Sequence, residues 1–140
     1  MPYLFDTDAL SEVLRPRPAE RFVAWLATVP AEEQAASAVS IGELYRGAFR
    51  SPNRRRWLDR IDHELLPRLV VLPYDAPTAR IYGEIRARLE AGGRMPGEAD
   101  LQIAATALHH GLSVVTGNVR HFERVPGLRI ERVLADSRSR

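Results

Sequence analysis

Two carboxylates two positions apart, Asp6 and Asp8 in "YLFDTDAL" (residues 3–10), follow an apolar run at the head of the chain. Such a pair could be the nucleophile and acid of a phosphate-transfer site, half of a metal site, or a helix cap. Further acids fall where helices should begin, Glu43 in "SIGEL" and Asp100 in "GEADL", with hydroxyls at Thr7, Ser40 and Thr116 and an amide at Asn118. All 20 cationic residues are arginine, so no lysine is available to offset gathered carboxylates. A hard cation would offset them: Mg²⁺ or Mn²⁺ takes a few carboxylates, several waters and phosphate oxygens at about 2.1 Å. Such an ion acidifies a bound water and neutralises charge building on phosphorus, which is the chemistry of phosphodiester hydrolysis.

These residues can meet only if the fold gathers them. Short apolar segments at 3–6, 35–39, 68–72 and 112–116 read as strands, and the alternating "LRIERV" at 128–133 as an edge strand. Helical patterns occupy 7–14, 18–28, 40–50, 52–66, 75–91 and 97–110. Strands apolar on both faces, alternating with helices, predict an α/β fold with a mainly parallel sheet of four to five strands covered on both sides. In such sheets ligands collect beyond the carboxyl ends of the strands. Asp6 closes the first strand, Glu43 lies in the first turn after the second, Thr116 and Asn118 follow the fourth, and Asp100 opens the helix that feeds it.

At 140 residues, 45% hydrophobic and 27% charged, the chain fits one domain over 1–134, with "ADSRSR" (135–140) expected as a frayed tail. The absence of cysteine excludes disulfides, thiolate metal sites and thiol nucleophiles, and fits a reducing cytoplasm. Neither a signal peptide nor a membrane span is visible, so a cytoplasmic location is expected. "RSPNRRRWLDR" (50–60) concentrates arginine around Trp57 on a helix, a pattern that suits phosphate recognition or, equally, a solvated face.

Each candidate also has a structural reading. Asp6 could mark only a strand-to-helix junction, Asp100 could be a first-turn acid favoured by the helix dipole, and Glu43 could be the capping-box partner of Ser40. Asp8 is expected to cap the first helix or to support Asp6, and His121 to lie on the surface. Haloacid-dehalogenase phosphatases imitate the opening D-x-D, but they need a Gly-Thr-like pair where Ala9 and Leu10 stand, and generally a lysine. Response-regulator receivers fail likewise: Asp75 comes too late after the third strand.

Three segments in order resemble the PIN-domain ribonucleases, specifically VapC-type toxins of bacterial toxin–antitoxin pairs. "YLFDTDALSE" is similar to their opening strand, "SAVSIGELYRGA" to S-x-x-[ST]-x-x-E-L-x-x-G, and "EADLQIAATALHHGLSVVTGNVRHF" to their closing D-x-x-I-A-A and T-x-N-x-x-x-F signature. The resemblance implies a three-layer α/β/α fold and a Mg²⁺ site held by Asp6, Glu43 and Asp100, where Mn²⁺ may replace Mg²⁺. Thr7, Asp8, Ser40 and Thr116 would support it, and Asn118 would stand where many relatives carry a fourth aspartate. It further implies endonucleolytic cleavage of RNA, a VapB-type antitoxin partner, a homodimer and no membrane. Phe22, Trp25, Tyr45, Phe49 and Trp57 would be available for a dimer face and an antitoxin groove. Glu98 is a weaker candidate for an extra carboxylate. The rival from another class is a catalytically weak PIN-fold module that binds DNA through an antitoxin complex.

Overall fold

The computed structural model describes residues 2–93 and 95–139. Met1, at the head of the expected domain, and Arg140, at the end of the expected tail, lie outside them. Five short strands, β1 (Tyr3–Phe5), β2 (Gln34–Ser37), β3 (Val70–Leu72), β4 (Ser113–Val115) and β5 (Ile130–Glu131), form one sheet in the order β3-β2-β1-β4-β5. Every pairing is parallel, so all the carboxyl ends meet at one edge. Phe5 lies level with Ala36 on one side and Val115 on the other.

Alternation along the strands splits the core in two. Phe5 and Val115 face α1 (Thr7–Val13), α2 (Glu20–Leu26), α3 (Ala38–Arg50) and α4 (Arg54–Arg60), packing with Leu10, Phe22, Leu44 and Ile61. Leu4 and Val114 face the other way, against α5 (Ala76–Ala91) and α6 (Glu98–His110), with Ile85, Leu101 and Phe122. The result is a three-layer α/β/α arrangement, as expected. Since β1 sends the chain to β2 on one side and pairs with β4 on the other, the crevice at the carboxyl edge opens between β1 and its neighbours.

Helix ends follow local chemistry. Gly111 ends α6 in a left-handed conformation (φ 67°), which a residue with a Cβ adopts only at a cost. Asp75 caps α5, accepting from Thr78 N at 3.1 Å. α4 stops short of the expected 66, running on through a wider π turn (Ile61–Leu65) and a 3₁₀ turn (Leu66–Arg68). Pro67 in that final turn can donate no backbone hydrogen bond.

Two expectations are corrected. Ser40 does not cap α3: Ser37 does, accepting from Val39 N at 3.1 Å, and the helix begins at Ala38 rather than 40. Both serines lie near the boundary, and the end of β2 at Ser37 decides between them. Most of the expected frayed tail is helical instead. Residues Val133–Arg138 form α7, whose Leu134 is fully buried against the α1–α2 layer and whose first turn is capped by Glu131, accepting from Val133 N at 3.0 Å. Among the described residues no helix is long and apolar enough to cross a membrane.

Candidate active site

Asp6 leaves β1 at the sheet edge and is itself the N-cap of α1, accepting from Ala9 N at 2.8 Å. Asp8 is therefore not the cap. The Asp6 side chain is only 3% exposed, and its carboxyl is pushed up to about 7. Burial is the main cause, opposed by hydrogen bonds from the Thr116 hydroxyl and Ala9 N and reinforced by the charges of Asp8 and Asp100. Thr116, at the exit of β4, also accepts from Asn118 N at 2.9 Å, so the loop after β4 is tied through one hydroxyl to Asp6.

Asp100, in the first turn of α6, is half-buried. Burial raises its carboxyl first of all, His121 lowers it, and the charge of Glu43 raises it. His121 Nδ1 stands 3.1 Å from Asp100 Oδ2. Glu43, one turn into α3 and exposed, accepts from the Thr7 hydroxyl at 2.5 Å through Oε1. Its capping-box role falls away with that of Ser40. Asp6, Asp100 and Glu43 thus come to one edge from three elements, the charge of Asp100 raising Asp6 and that of Glu43 raising Asp100.

Asp8 and Glu98 face elsewhere. Asp8 Oδ2 accepts from Gly117 N at 3.1 Å and from Arg138 at 2.7 Å, and Arg138 also reaches Asp8 Oδ1 at 3.1 Å. The same guanidinium donates at 2.7 Å to Glu12, a glutamate only 2% exposed that also accepts from Ala19 N at 2.8 Å. A Cβ at Gly117 would stand 2.1 Å from Arg138 Nη1 and 2.5 Å from Asp8 Oδ2, so only glycine lets this clamp close. Glu98 accepts from the Tyr82 hydroxyl at 3.2 Å and approaches Arg86, on the α5 side. The Asn118 side chain is exposed, and among the described residues it has no hydrogen-bond partner; its contribution runs through its backbone N–H.

Sequence reading missed His121 as a partner of Asp100. The available signal was its place in the loop leaving β4, five positions after Thr116, at the edge where ligands collect. Of the aromatic candidates, Phe22 and Trp25 pack with Phe5 in the core, and Tyr45 donates to Asp62. Trp57 instead lines a 290 Å³ groove with Leu14, Pro16, Leu44 and Ile61 that ends at Thr7 and Glu43.

Residues 3–128 match the PIN domain family. The chain belongs to the PIN-domain family. It is 36% identical over 131 residues to "Ribonuclease VapC2" of Haemophilus influenzae, covering 94% of this chain and 97% of that one. It is 37% identical over 134 residues to the "tRNA(fMet)-specific endonuclease VapC" of Shigella flexneri, with the same coverage. The fold superposes on the DNA-bound VapBC structure from Salmonella typhimurium with a TM-score of 0.86 at 34% identity, covering 94% of this chain and 97% of that one. Its relatives place it among the VapC-type members.

Whether these residues suit a divalent ion can be judged from their own state. The donors are hard oxygens, carboxylate and hydroxyl. Among the described residues neither Asp6 nor Glu43 has an ion-pair partner. Ser40 Oγ, one turn before Glu43 on α3, is buried without a hydrogen-bond partner. Among the described residues no group of three Asp, Glu, His or Cys side chains stands close enough together to hold a metal ion by itself. A Mg²⁺ ion held here would take one or two carboxylates directly and fill the rest of its shell with water. The residues fit such an ion.

Proposed function

We propose that this PIN-domain chain is a Mg²⁺-dependent endoribonuclease acting as the toxin of a toxin–antitoxin pair. One observation carries the reading: Asp6, Asp100 and Glu43 share an edge where burial and mutual repulsion raise the two aspartates and neither Asp6 nor Glu43 has an ion-pair partner among the described residues. These three would hold the ion, Mg²⁺ or in its place Mn²⁺, one or two of them directly and the rest through its bound waters. When bound, it would offset negative charge on the phosphoryl oxygens and make an attacking water easier to deprotonate.

The chain's own groups hold that edge in shape. Ala9 N and the Thr116 hydroxyl hold the Asp6 carboxylate, Asn118 N holds the Thr116 hydroxyl in turn, Thr7 orients Glu43, and His121 holds Asp100. Glu43 is exposed and uses only Oε1 toward Thr7, so Oε2 would be left to accept the proton of an attacking water. Ser40 would complete the support through its unpaired hydroxyl.

The groove that Trp57 and Glu43 share is lined mainly by apolar side chains, with Glu43 and Arg15 as its charged residues. That suits an antitoxin segment of the VapB type that lays apolar side chains along it and points a cation at the carboxylates. VapBC relatives solved as complexes support such a partner, and the DNA-bound Salmonella assembly supports a second role for that complex in DNA binding.

The Shigella relative's name makes initiator tRNA the first substrate to test. Purified protein should cut it into discrete fragments in Mg²⁺ but not in EDTA, and Asp6→Ala and Asp100→Ala variants should leave it intact. Equal cleavage by all three proteins would overturn the assignment.

A further inference from the structure

The first turn of α4 breaks an electrostatic rule. Arg54, Arg55 and Arg56 are all exposed there, and the turn contains no acid. The N-terminus of a helix carries partial positive charge, which disfavours cations in that turn. Among the described residues none of the three forms an ion pair. Local rules broken in this way concentrate at functional sites.

The surroundings hold this charge in place. Arg54 Nε donates to Phe49 O at 3.1 Å, tying its stem to the end of α3. The guanidinium carbons of Arg56 and Arg60 lie 6.0 and 5.8 Å from the Trp57 ring centroid. Arg60 also donates to Leu14 O at 2.5 Å, fixing α4 to the end of α1, and pairs with Glu64 at 3.5 Å. Ser51, Asn53 and the four arginines border an open recess of 1150 Å³, with Asp59 and Glu64 the only acids on it. Trp57, with Arg56 and Arg60 of this recess over its ring, itself lines the groove that also includes Thr7 and Glu43.

We propose that Arg54, Arg55 and Arg56 form a phosphodiester-binding ridge that receives single-stranded RNA flanking the cleavage site, with Trp57 as the bridge to the acidic edge. Successive helical residues fan out by about 100°, so three adjacent arginines cannot converge on one carboxylate; a polyanion spread over several phosphates can meet all three. Arginines beside an aromatic ring also match the backbone and bases of a single strand. The inference rests on the ribonuclease reading but is lost separately from it.

The test uses the full chain with exposed arginines replaced in two sets: R54Q/R55Q/R56Q, and an equal-charge control R68Q/R80Q/R88Q. The probe is a fluorescein-labelled single-stranded RNA 20-mer of mixed sequence, bound by Asp100→Asn protein over a salt series and cleaved by protein with an intact site. The ridge variant should bind about tenfold more weakly, with the slope of log affinity against log salt reduced by about 2. In cleavage it should raise KM with kcat within about twofold, while the control set changes neither. Cleavage by the parent with an unchanged KM in the ridge variant would overturn the ridge and leave the ribonuclease reading standing. An equal loss in both sets would make the effect general charge and overturn it as well. Retained RNA binding with loss of the antitoxin complex would assign the ridge to a protein partner instead. If the parent neither binds nor cuts RNA, both readings fall together.

Discussion

Helix α1 carries carboxylates in two opposite states. Toward its C-terminal side, Glu12 is 2% exposed yet held below the usual glutamate range. Its burial is outweighed by hydrogen bonds from Arg138, Ala19 N and Arg15. Arg138 closes the same clamp on Asp8. At the N-terminus, Asp6 is 3% exposed and pushed up to about 7, with two more acids nearby instead of an arginine. Both carboxylates are closed to solvent, but Asp6 lies deeper and has no arginine beside it, so depth and compensation together separate the two ends. A fold able to reach a buried glutamate with an arginine from its last helix leaves the sheet edge unmatched, and that unmatched edge is what a divalent ion would complete.

Neutralising Asp6 should give the largest effect, and in opposite directions for activity and stability. In Asp6→Asn the amide oxygen can still cap α1, but the charge is gone, and Mg²⁺-dependent RNA cleavage should fall by about 10³-fold or more. Without metal, the variant should be the more stable protein. The folded-state value of about 7 lies above the unfolded 3.8, so the folded chain binds more protons between these limits and its stability falls as pH rises through them. Above about pH 7 the charge costs up to about 4 kcal/mol, which Asn removes. Thermal melts in EDTA at pH 8 and pH 4 should show a gain that is large at pH 8 and small at pH 4. A loss of stability at both pH values would mean that the Asp6 charge is compensated after all.

Arg138→Ala attacks the compensated end. It leaves Glu12 buried, with only Ala19 N and a largely exposed Arg15 beside it, and should cost about 3 kcal/mol at neutral pH. Here the sign reverses. Glu12 is lowered on folding, so its stabilisation is present above the unfolded value of 4.5 and is lost as pH falls through the folded one. The penalty of the substitution should therefore shrink toward acid, measured as urea midpoints at pH 7 and pH 4. A penalty unchanged with pH would assign the loss to packing of α7 rather than to the carboxylates.

What was legible in the sequence divides along the same line. All five strands and the placement of Asp6, Asp100 and Glu43 at their carboxyl edge follow from local apolar runs and from the rule that parallel strands point their ends one way. Contacts between distant side chains did not follow. Arg138 meets Asp8 across 130 positions, so Asp8 read as a cap and the tail as frayed, because "ADSRSR" alone has little to bury beyond Leu134 before it. Ser37 and Ser40 are both plausible caps by composition, and only the end of β2 chooses. His121 read as a surface residue and is one, but its ring also reaches Asp100.

The smallest change is the sharpest test of the comparison. Asp8→Asn stands two positions from Asp6→Asn and removes the same charge. Asn keeps an oxygen that can accept from Gly117 N, and Arg138 keeps its bond to Glu12, so the clamp loses only one partly exposed ion pair. Such pairs contribute about 1 kcal/mol or less, because water screens the charges. Stability should fall by no more than that, and cleavage should stay within a few-fold of the parent, since the Asp6 carboxylate keeps its bonds to Ala9 N and Thr116. Losing Asp8 also removes one repulsive charge near Asp6. A cleavage defect as deep as that of Asp6→Asn would show that Asp8 belongs to the acidic edge and not to the clamp, and the division of α1 into a compensated and an uncompensated end would fail.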